Sequence, residues 1–375
     1  MTAKHSPAPR FIGSEIYRGS SYGAWHPLRV PRVSTVMDLS RAMGWLDRAQ
    51  YVPSPRAKKA ALTAWHDPDY IDALIRVAAT QSASDEDRQT HHLGTVTNPV
   101  FPEMFTRPAT GAGGALLAGE LLKDGGIVYQ PGGGTHHGLP ARANGFCYLN
   151  DPAFAILSLR SNLAPRIAYI DIDAHHADGV KHGFGADENC LLISVHEAGL
   201  WPRTGTLETS HATTLNLPVR RGFNDTEMSV VLHELILPVV TAFKPDAVVL
   251  QCGADAVEED PLSHLSLSNN AHWAVVEALK PIAPRYLVLG GGGYNPWSVG
   301  RLWTGVWATL NGHDIPDQLP QNAEAVLRGL RFDNNRRGRN PDAHWFTTLR
   351  DPERQGPVDE MLRKDIKMLR SIFGT

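Results

Sequence analysis

Tyr169-Ile-Asp-Ile-Asp-Ala-His-His-Ala-Asp-Gly179 is the stretch on which the fold of this chain turns. It continues Arg166-Ile-Ala-Tyr-Ile170, a run too apolar on both faces to lie against water, which predicts a strand buried on both sides. The run then breaks into Asp171, Asp173, His175, His176 and Asp178. Asp173 and His175 stand two apart, so an extended backbone points them the same way and they can grip one ion. Charged groups crowded at the end of a buried strand are costly unless paired, and a metal is the simplest partner. The blander reading, a polar strand end with a helix cap, leaves the partners described below unexplained.

On both sides of this stretch the chain alternates. Helices are predicted over 110–122, 151–160, 225–243, 269–282 and 297–310, and strands over 126–129, 190–195, 247–251 and 286–289. Alternation of this kind means a parallel sheet with helices on both faces, in which ligands bind beyond the carboxyl ends of the strands. The residues past those ends are unusual. Pro131-Gly-Gly-Gly-Thr-His-His137 follows one strand, and Ser194 and His196 close another. Gln251-Cys-Gly-Ala-Asp-Ala-Val-Glu-Glu-Asp260 and Gly290-Gly-Gly-Gly-Tyr294 follow two more. With the opening stretch, five strand ends converge on one rim, which argues for an enzyme.

Elsewhere the pattern is less ordered. Residues 1–10 read as a loose tail, and a helix is expected over 34–46 and another from Asp67. Residues 79–99 are polar and read as a long surface loop bordering a site. Past residue 312 a solvated wrap with an Arg336-Arg-Gly-Arg339 cluster is expected, then a terminal amphipathic helix within 351–372 that docks on the rest. The whole of 1–375 is read as one catalytic domain.

Composition bounds the function. Hydrophobic residues at 42% and charged residues at 20% describe a globular chain with ample core. With 36 basic against 39 acidic residues, a nucleic-acid surface is not the main business. Three cysteines, Cys147, Cys190 and Cys252, are unlike a secreted disulfide framework, and Cys147 reads as core. The N-terminus has no signal-peptide core, and no apolar run reaches the roughly eighteen residues of a membrane span, so a cytoplasmic location is expected.

Asp173, His175 and a third ligand from another strand end would leave an open coordination position, the catalytic pattern. Asp260 is taken as the third. Two carboxylates and an imidazole suit one Zn²⁺ per chain, with Fe²⁺ or Mn²⁺ compatible by ligand type. His136 and His137 can serve as base and acid, and Tyr294 can donate to a developing oxyanion.

His136-His137 with Gly145-Phe-Cys-Tyr-Leu-Asn-Asp151, Asp171-Ile-Asp-Ala-His-His-Ala-Asp178, Gly253-Ala-Asp-Ala-Val-Glu-Glu-Asp-Pro-Leu262 and Gly290–Tyr294 occur in one order. Over about residues 15–312 this resembles the zinc-dependent histone deacetylase family, with class I-like motifs, and most of all its bacterial acetoin-utilisation deacetylase branch. The resemblance implies an arginase/deacetylase-like sheet and hydrolysis of the acetyl amide of N-ε-acetyl-lysine in proteins. It implies Asp173, His175 and Asp260 as zinc ligands. His137 would be the general base and acid, oriented by Asp178, and His136 its partner, paired with Asp171. Tyr294 would polarise the carbonyl. Phe146 and Trp201 would wall a substrate tunnel, with Leu267 at its edge, and Gly145 and Gly292 would face the substrate. Arg32 would line an internal acetate channel, and a K⁺ ion would sit on Asp171, Asp173, His175, Ser194 and Val195. His176 and His196 are read as supporting groups.

One departure stands out. Family members that grip peptide backbones carry an acid on a rim loop, where this chain has Leu93-Gly-Thr-Val-Thr-Asn-Pro99, with Thr97 or Asn98 at the position. A neutral side chain cannot accept two backbone N–H groups as a carboxylate does. Deacetylation of a small acetylated amine, such as an acetylpolyamine, is therefore the alternative. An arginase-like dinuclear manganese hydrolase and a catalytically dead binding module are the readings from other classes. Neither nucleic acid nor membrane is expected as a partner, and the oligomeric state is left open.

Overall fold

A computed structural model describes residues 7–332 and 340–375. Residues 1–6 and the Arg336–Arg339 cluster lie outside them. Eight parallel strands form one sheet in the order β2-β1-β3-β8-β7-β4-β5-β6, with helices around it. They are β1 (Arg10–Gly13), β2 (Tyr51–Pro53), β3 (Gly126–Gln130), β4 (Ile167–Asp171), β5 (Cys190–Glu197), β6 (Thr214–Val219), β7 (Ala247–Gln251) and β8 (Arg285–Leu289).

The apolar runs explain the sheet. Along β4, Ala168 and Ile170 enter one core cluster while Ile167 and Tyr169 enter the other. β7 and β8 alternate in the same way, with Val248, Leu250 and Val288 on one side and Val249, Leu287 and Leu289 on the other. A strand covered on both faces has no polar side to show, hence continuous rather than alternating hydrophobicity.

The helices follow local signals. Asn295 caps the helix Pro296–Asn311 by accepting from the Trp297 and Ser298 N–H groups, and Gly312 ends it at φ 70°. The helix Thr106–Leu121 is rich in Ala and Gly because it lies tight against its neighbours: a Cβ at Gly113 would meet the Pro55 backbone, and one at Gly119 would meet Ser158. The helix predicted over 225–243 is continuous but widens to a π-turn at Leu232–Ile236. Pro238 lies just beyond, where it has no N–H to give the preceding turn. By length and composition this helix is apolar enough to cross a membrane, contrary to expectation. Its Val231, Leu235, Ile236, Val239 and Val240 are buried in the core instead.

Several elements depart from the sequence reading. β1, which was not anticipated, begins at Arg10, the last residue of the expected tail, and its Phe11 and Ile12 are buried. β2 and β6 were not anticipated, and the polar 79–99 stretch holds a short helix, Asp85–Thr90, closed by a Ser84–Asp87 capping box. The wrap contains a helix, Gln321–Arg328, that buries Ala323 and Leu327. The terminal helix is Glu360–Phe373 and docks through Leu362, Ile366 and Leu369.

Candidate active site

The carboxyl ends of β3, β4, β7 and β8, four adjacent strands, carry the site. The loop after β3 presents His136 and His137. Its shape depends on Gly134, at φ 93°, where a Cβ would collide with the Gly290 backbone after β8. Asp151 ties this loop down, accepting from Gly134 N–H at 2.7 Å and Thr135 N–H at 2.8 Å.

The two imidazoles are held by separate carboxylates. His136 Nδ1 lies 2.7 Å from Asp171 Oδ2, and His137 Nδ1 lies 2.6 Å from Asp178 Oδ1. With each Nδ1–H donated to a carboxylate, the working atoms are the Nε2 nitrogens, 2.9 Å apart. Asp171 also accepts from the Tyr169 hydroxyl at 2.6 Å, and Asp178 from Asn144 Nδ2 at 2.9 Å. Burial pulls the His136 pKa down, but Asp171 and Asp173 outweigh it and hold it at about 9. Burial and the neighbouring His136 push His137 down to about 4. At neutral pH the pair is thus one imidazolium beside one neutral imidazole, with the His136 Nε2–H facing the His137 Nε2 lone pair.

Asp173, His175 and Asp255 bring one ligand atom each within 4.8 Å of one another. His175 Nδ1 lies 3.1 Å from Asp173 Oδ1 and 2.9 Å from Asp255 Oδ2. Asp173 accepts from Gln251 Nε2 at 2.8 Å and from Gly292 N–H at 2.7 Å, and Asp255 accepts from Ala174 N–H at 3.0 Å. Burial, with Asp173 alongside, pushes the Asp255 carboxyl up from its ordinary range. Two buried carboxylates facing one imidazole nitrogen are a donor set that a divalent cation fits. The close approach explains a glycine: a Cβ on Gly292 would run into Asp255 and Asp173.

Asp260, expected as the third ligand, is not part of this trio. Its carboxylate accepts from Tyr294 N–H at 2.6 Å and Leu262 N–H at 2.9 Å, so it fixes the backbone that carries the tyrosine. Asp255 sits three residues past Gly-free Gln251-Cys252, nearer the end of β7, and meets the β4 loop first. Leu267 is fully buried, and of the leucines in the loop after β7 it is Leu262 that lines the tunnel.

A tunnel of about 250 Å³ is lined by Thr97, Gly145, Phe146, Leu200, Trp201 and Leu262, with His137, His175 and Tyr294 at its floor. Trp201 packs edge-on against the His137 ring at 4.6 Å. Burial, with Asp255 adding, raises the Tyr294 pKa well above its ordinary value, so the hydroxyl remains a donor. Behind His137 and Tyr294 lies a second space of about 50 Å³ that includes Arg32, Tyr17 and Tyr22. Arg32 donates Nη1–H to the Gly291 carbonyl at 2.7 Å and stacks on Trp303, while its buried Nε has no partner.

Other expected residues lie near this centre. Ser194 pairs in register with Asp171 across β4 and β5, with Val195 next to it. His176 bonds Thr204 and Asn216, and His196 bonds Ser194 and the Gly205 carbonyl, so both are supporting groups. Cys147 is buried, which pushes its thiol up and keeps it protonated. A second trio, Glu259, His344 and Asp351, also clusters within 4.8 Å. There Arg354 pairs with Glu259 and Arg301 with Asp351, so guanidinium groups already stand where a cation would.

Residues 26–310 match the family profile described as "Histone deacetylase domain". The chain is 32% identical over 325 residues to the acetoin utilization protein AcuC of Bacillus subtilis, covering 83% of this chain and 84% of that protein. It is 32% identical over 315 residues to histone deacetylase 9 of Arabidopsis thaliana, covering 81% and 74% respectively. Among solved structures, a histone deacetylase homologue complexed with SAHA superposes with TM-score 0.92 at 33% identity, over 97% of this chain and all of that one. The homologue from Aquifex aeolicus gives TM-score 0.90, also at 33% identity and over 97% of this chain.

Proposed function

This chain belongs to the histone deacetylase family of hydrolases, and from that premise we propose that it removes the acetyl group from N-ε-acetyl-lysine side chains of proteins. The observation that carries the reading is an apolar tunnel, walled by Phe146 and Trp201, that ends on His137, Tyr294 and the Asp173–His175–Asp255 trio. Aromatic walls suit a four-carbon stem, and polar groups at the floor suit an amide.

A Zn²⁺ ion held by Asp173, His175 and Asp255 would polarise the amide carbonyl and acidify a water beside it. His137, neutral at Nε2, takes the proton of the attacking water there and returns it to the departing lysine amine. Asp178 keeps the ring in the required tautomer, and His136, cationic through Asp171, favours the negative charge that develops nearby. The Tyr294 hydroxyl donates to the carbonyl oxygen as it becomes an oxyanion. The Gly145 carbonyl accepts the substrate N–H, with Gly292 closing the opposite side. Arg32 gives the released acetate a cationic group in the space behind the site. A structural K⁺ on Asp171, Asp173, His175, Ser194 and Val195 belongs to the same reading.

Deacetylation of a small acetylated amine is the second reading. The tunnel favours lysine, because among the described residues no carboxylate lines its walls above the metal trio to pair with a polyamine's free ammonium groups. With Thr97 at the mouth in place of an acid, backbone gripping adds little. A neutral acetyl-lysine peptide should then lie within about tenfold of a minimal acetyl-lysine amide in kcat/KM. The test is one batch of metal-loaded protein assayed on that peptide, the amide and an acetylated polyamine. The lysine substrates should be turned over at least tenfold better; preference for the polyamine would overturn the reading.

A further inference from the structure

The mouth of the tunnel is a fixed frame rather than a set of loose loops. His26 Nε2 lies 3.2 Å from the Thr97 carbonyl, and the His26 ring packs edge-on against Phe146 at 4.5 Å. Phe146 N–H donates to Asn98 Oδ1 at 3.0 Å, and the Tyr22 hydroxyl donates to the Phe146 carbonyl at 3.3 Å. Three segments, around residues 22–29, 92–98 and 142–147, are thereby locked together beside the tunnel. Across it stands the turn that carries Trp201.

This frame offers apolar and cationic groups. Trp25 is 89% exposed, Val96 93% and Trp201 41%. Arg142 lies three residues before Gly145 and Arg203 two past Trp201, and both are exposed. His91 Nδ1 lies 2.7 Å from the Ala141 carbonyl and the His91 carbonyl accepts from Ala143 N–H at 3.0 Å, which ties the backbone on both sides of Arg142 to the segment that leads to Thr97. Arg29 donates Nη1–H to the Ala24 carbonyl at 3.0 Å, beside Trp25.

Among the described residues, none of these three arginines takes part in an ion pair. Of the acids on the Asp85–Thr90 helix, Glu86 is exposed, and the other two bind neighbouring groups. Asp87 is buried under Arg76 and caps a helix, Asp85 pairs with Arg88 at 3.1 Å, and Glu258 pairs with Arg354 at 2.8 Å.

We propose that this deacetylase selects acetyl-lysines set among acidic residues. The inference rests on the lysine-deacetylase reading and names the substrate class for the same site. The tunnel reads the acetylated side chain, while Arg142, Arg203 and Arg29 draw in carboxylates on the residues flanking it. Polycationic substrates are repelled by the same charges. Attraction across an exposed rim acts mainly on encounter and is screened by salt.

The test compares kcat/KM of the metal-loaded protein on acetyl-lysine peptides of one length whose flanks are acidic, neutral or basic. Acidic flanks should exceed basic ones by about tenfold at low ionic strength. The gap should close in about 1 M salt, where screening acts over roughly 3 Å. In Arg142→Glu/Arg203→Glu the acidic-to-basic ratio should invert, and because it is a ratio within one protein it is insensitive to the folded fraction. A wild-type ratio of one or less, or a ratio unmoved by the double variant, would overturn the proposal. If the minimal acetyl-lysine amide is turned over while flank preference is flat, only the rim assignment fails. If no acetyl-lysine substrate is turned over, the lysine-deacetylase reading fails and the proposal with it.

Discussion

At the residue scale, one hydroxyl and two imidazoles divide the labour. Tyr294→Phe keeps the ring that packs against Phe146 and removes only the donor. Losing one such donor typically costs about 2.7–4 kcal/mol, so kcat should fall roughly 10²–10³-fold with metal content unchanged. His137→Ala should lower kcat more than His136→Ala, since only His137 moves protons; the reverse order in steady-state kinetics would reassign the pair. The sign of the pH dependence follows from the same two rings. A base must be neutral, and His137 is neutral above a pKa that burial has pushed down to about 4 from 6.5. The acid limb of kcat/KM should therefore lie below pH 6.5, and Asp178→Asn, which removes an anion favouring the imidazolium, should shift it lower still while reducing kcat. A limb at or above pH 6.5 would show that His137 is not held neutral. Most of these groups were legible in sequence because each sits directly after an apolar strand. Asp260 was not distinguished from Asp255 because both lie in one loop after β7. Only the approach of that loop to β4 decides which carboxylate meets His175 and which holds Tyr294.

At the scale of elements, the helix Pro296–Asn311 and the C-terminal segment are joined by an ion pair with no solvent around it. Arg301 and Asp351 meet at 2.6 Å with their side chains 0% and 1% exposed, and Arg301 also donates to the Thr348 and Arg350 carbonyls. Removing one partner of a buried pair costs about 3–5 kcal/mol, so Arg301→Met should move the urea midpoint down by that equivalent; an unchanged midpoint would mean water reaches the pair. Long strands and helices were readable from hydropathy, as β7 was from Ala247 to Gln251. β1 and β2 span only four and three residues, too few for a period to register. The helix Gln321–Arg328 was hidden because only Ala323 and Leu327 of its eight residues are buried.

At the scale of the whole molecule, the parallel sheet brings loops from distant parts of the chain to one floor. β3 lies two strands from β7 and three from β4, yet their loops share the site because the intervening strands end at the same edge. The metal trio joins β4 and β7 through buried charge, so a bound ion should stabilise the fold as well as the chemistry. Ligand in thousandfold excess over its Kd contributes about 4 kcal/mol, and chelation should lower Tm measurably. The measurement that bears most directly on the assignment is metal content per chain, taken with turnover, for the wild type, Asp255→Asn and Asp260→Asn. One zinc per chain is expected in the wild type and in Asp260→Asn, the latter with reduced kcat because Tyr294 loses its anchor. Asp255→Asn should lose both zinc and turnover. Zinc retained in Asp255→Asn and lost in Asp260→Asn would contradict the site described here, and two metals per wild-type chain would favour a dinuclear hydrolase instead.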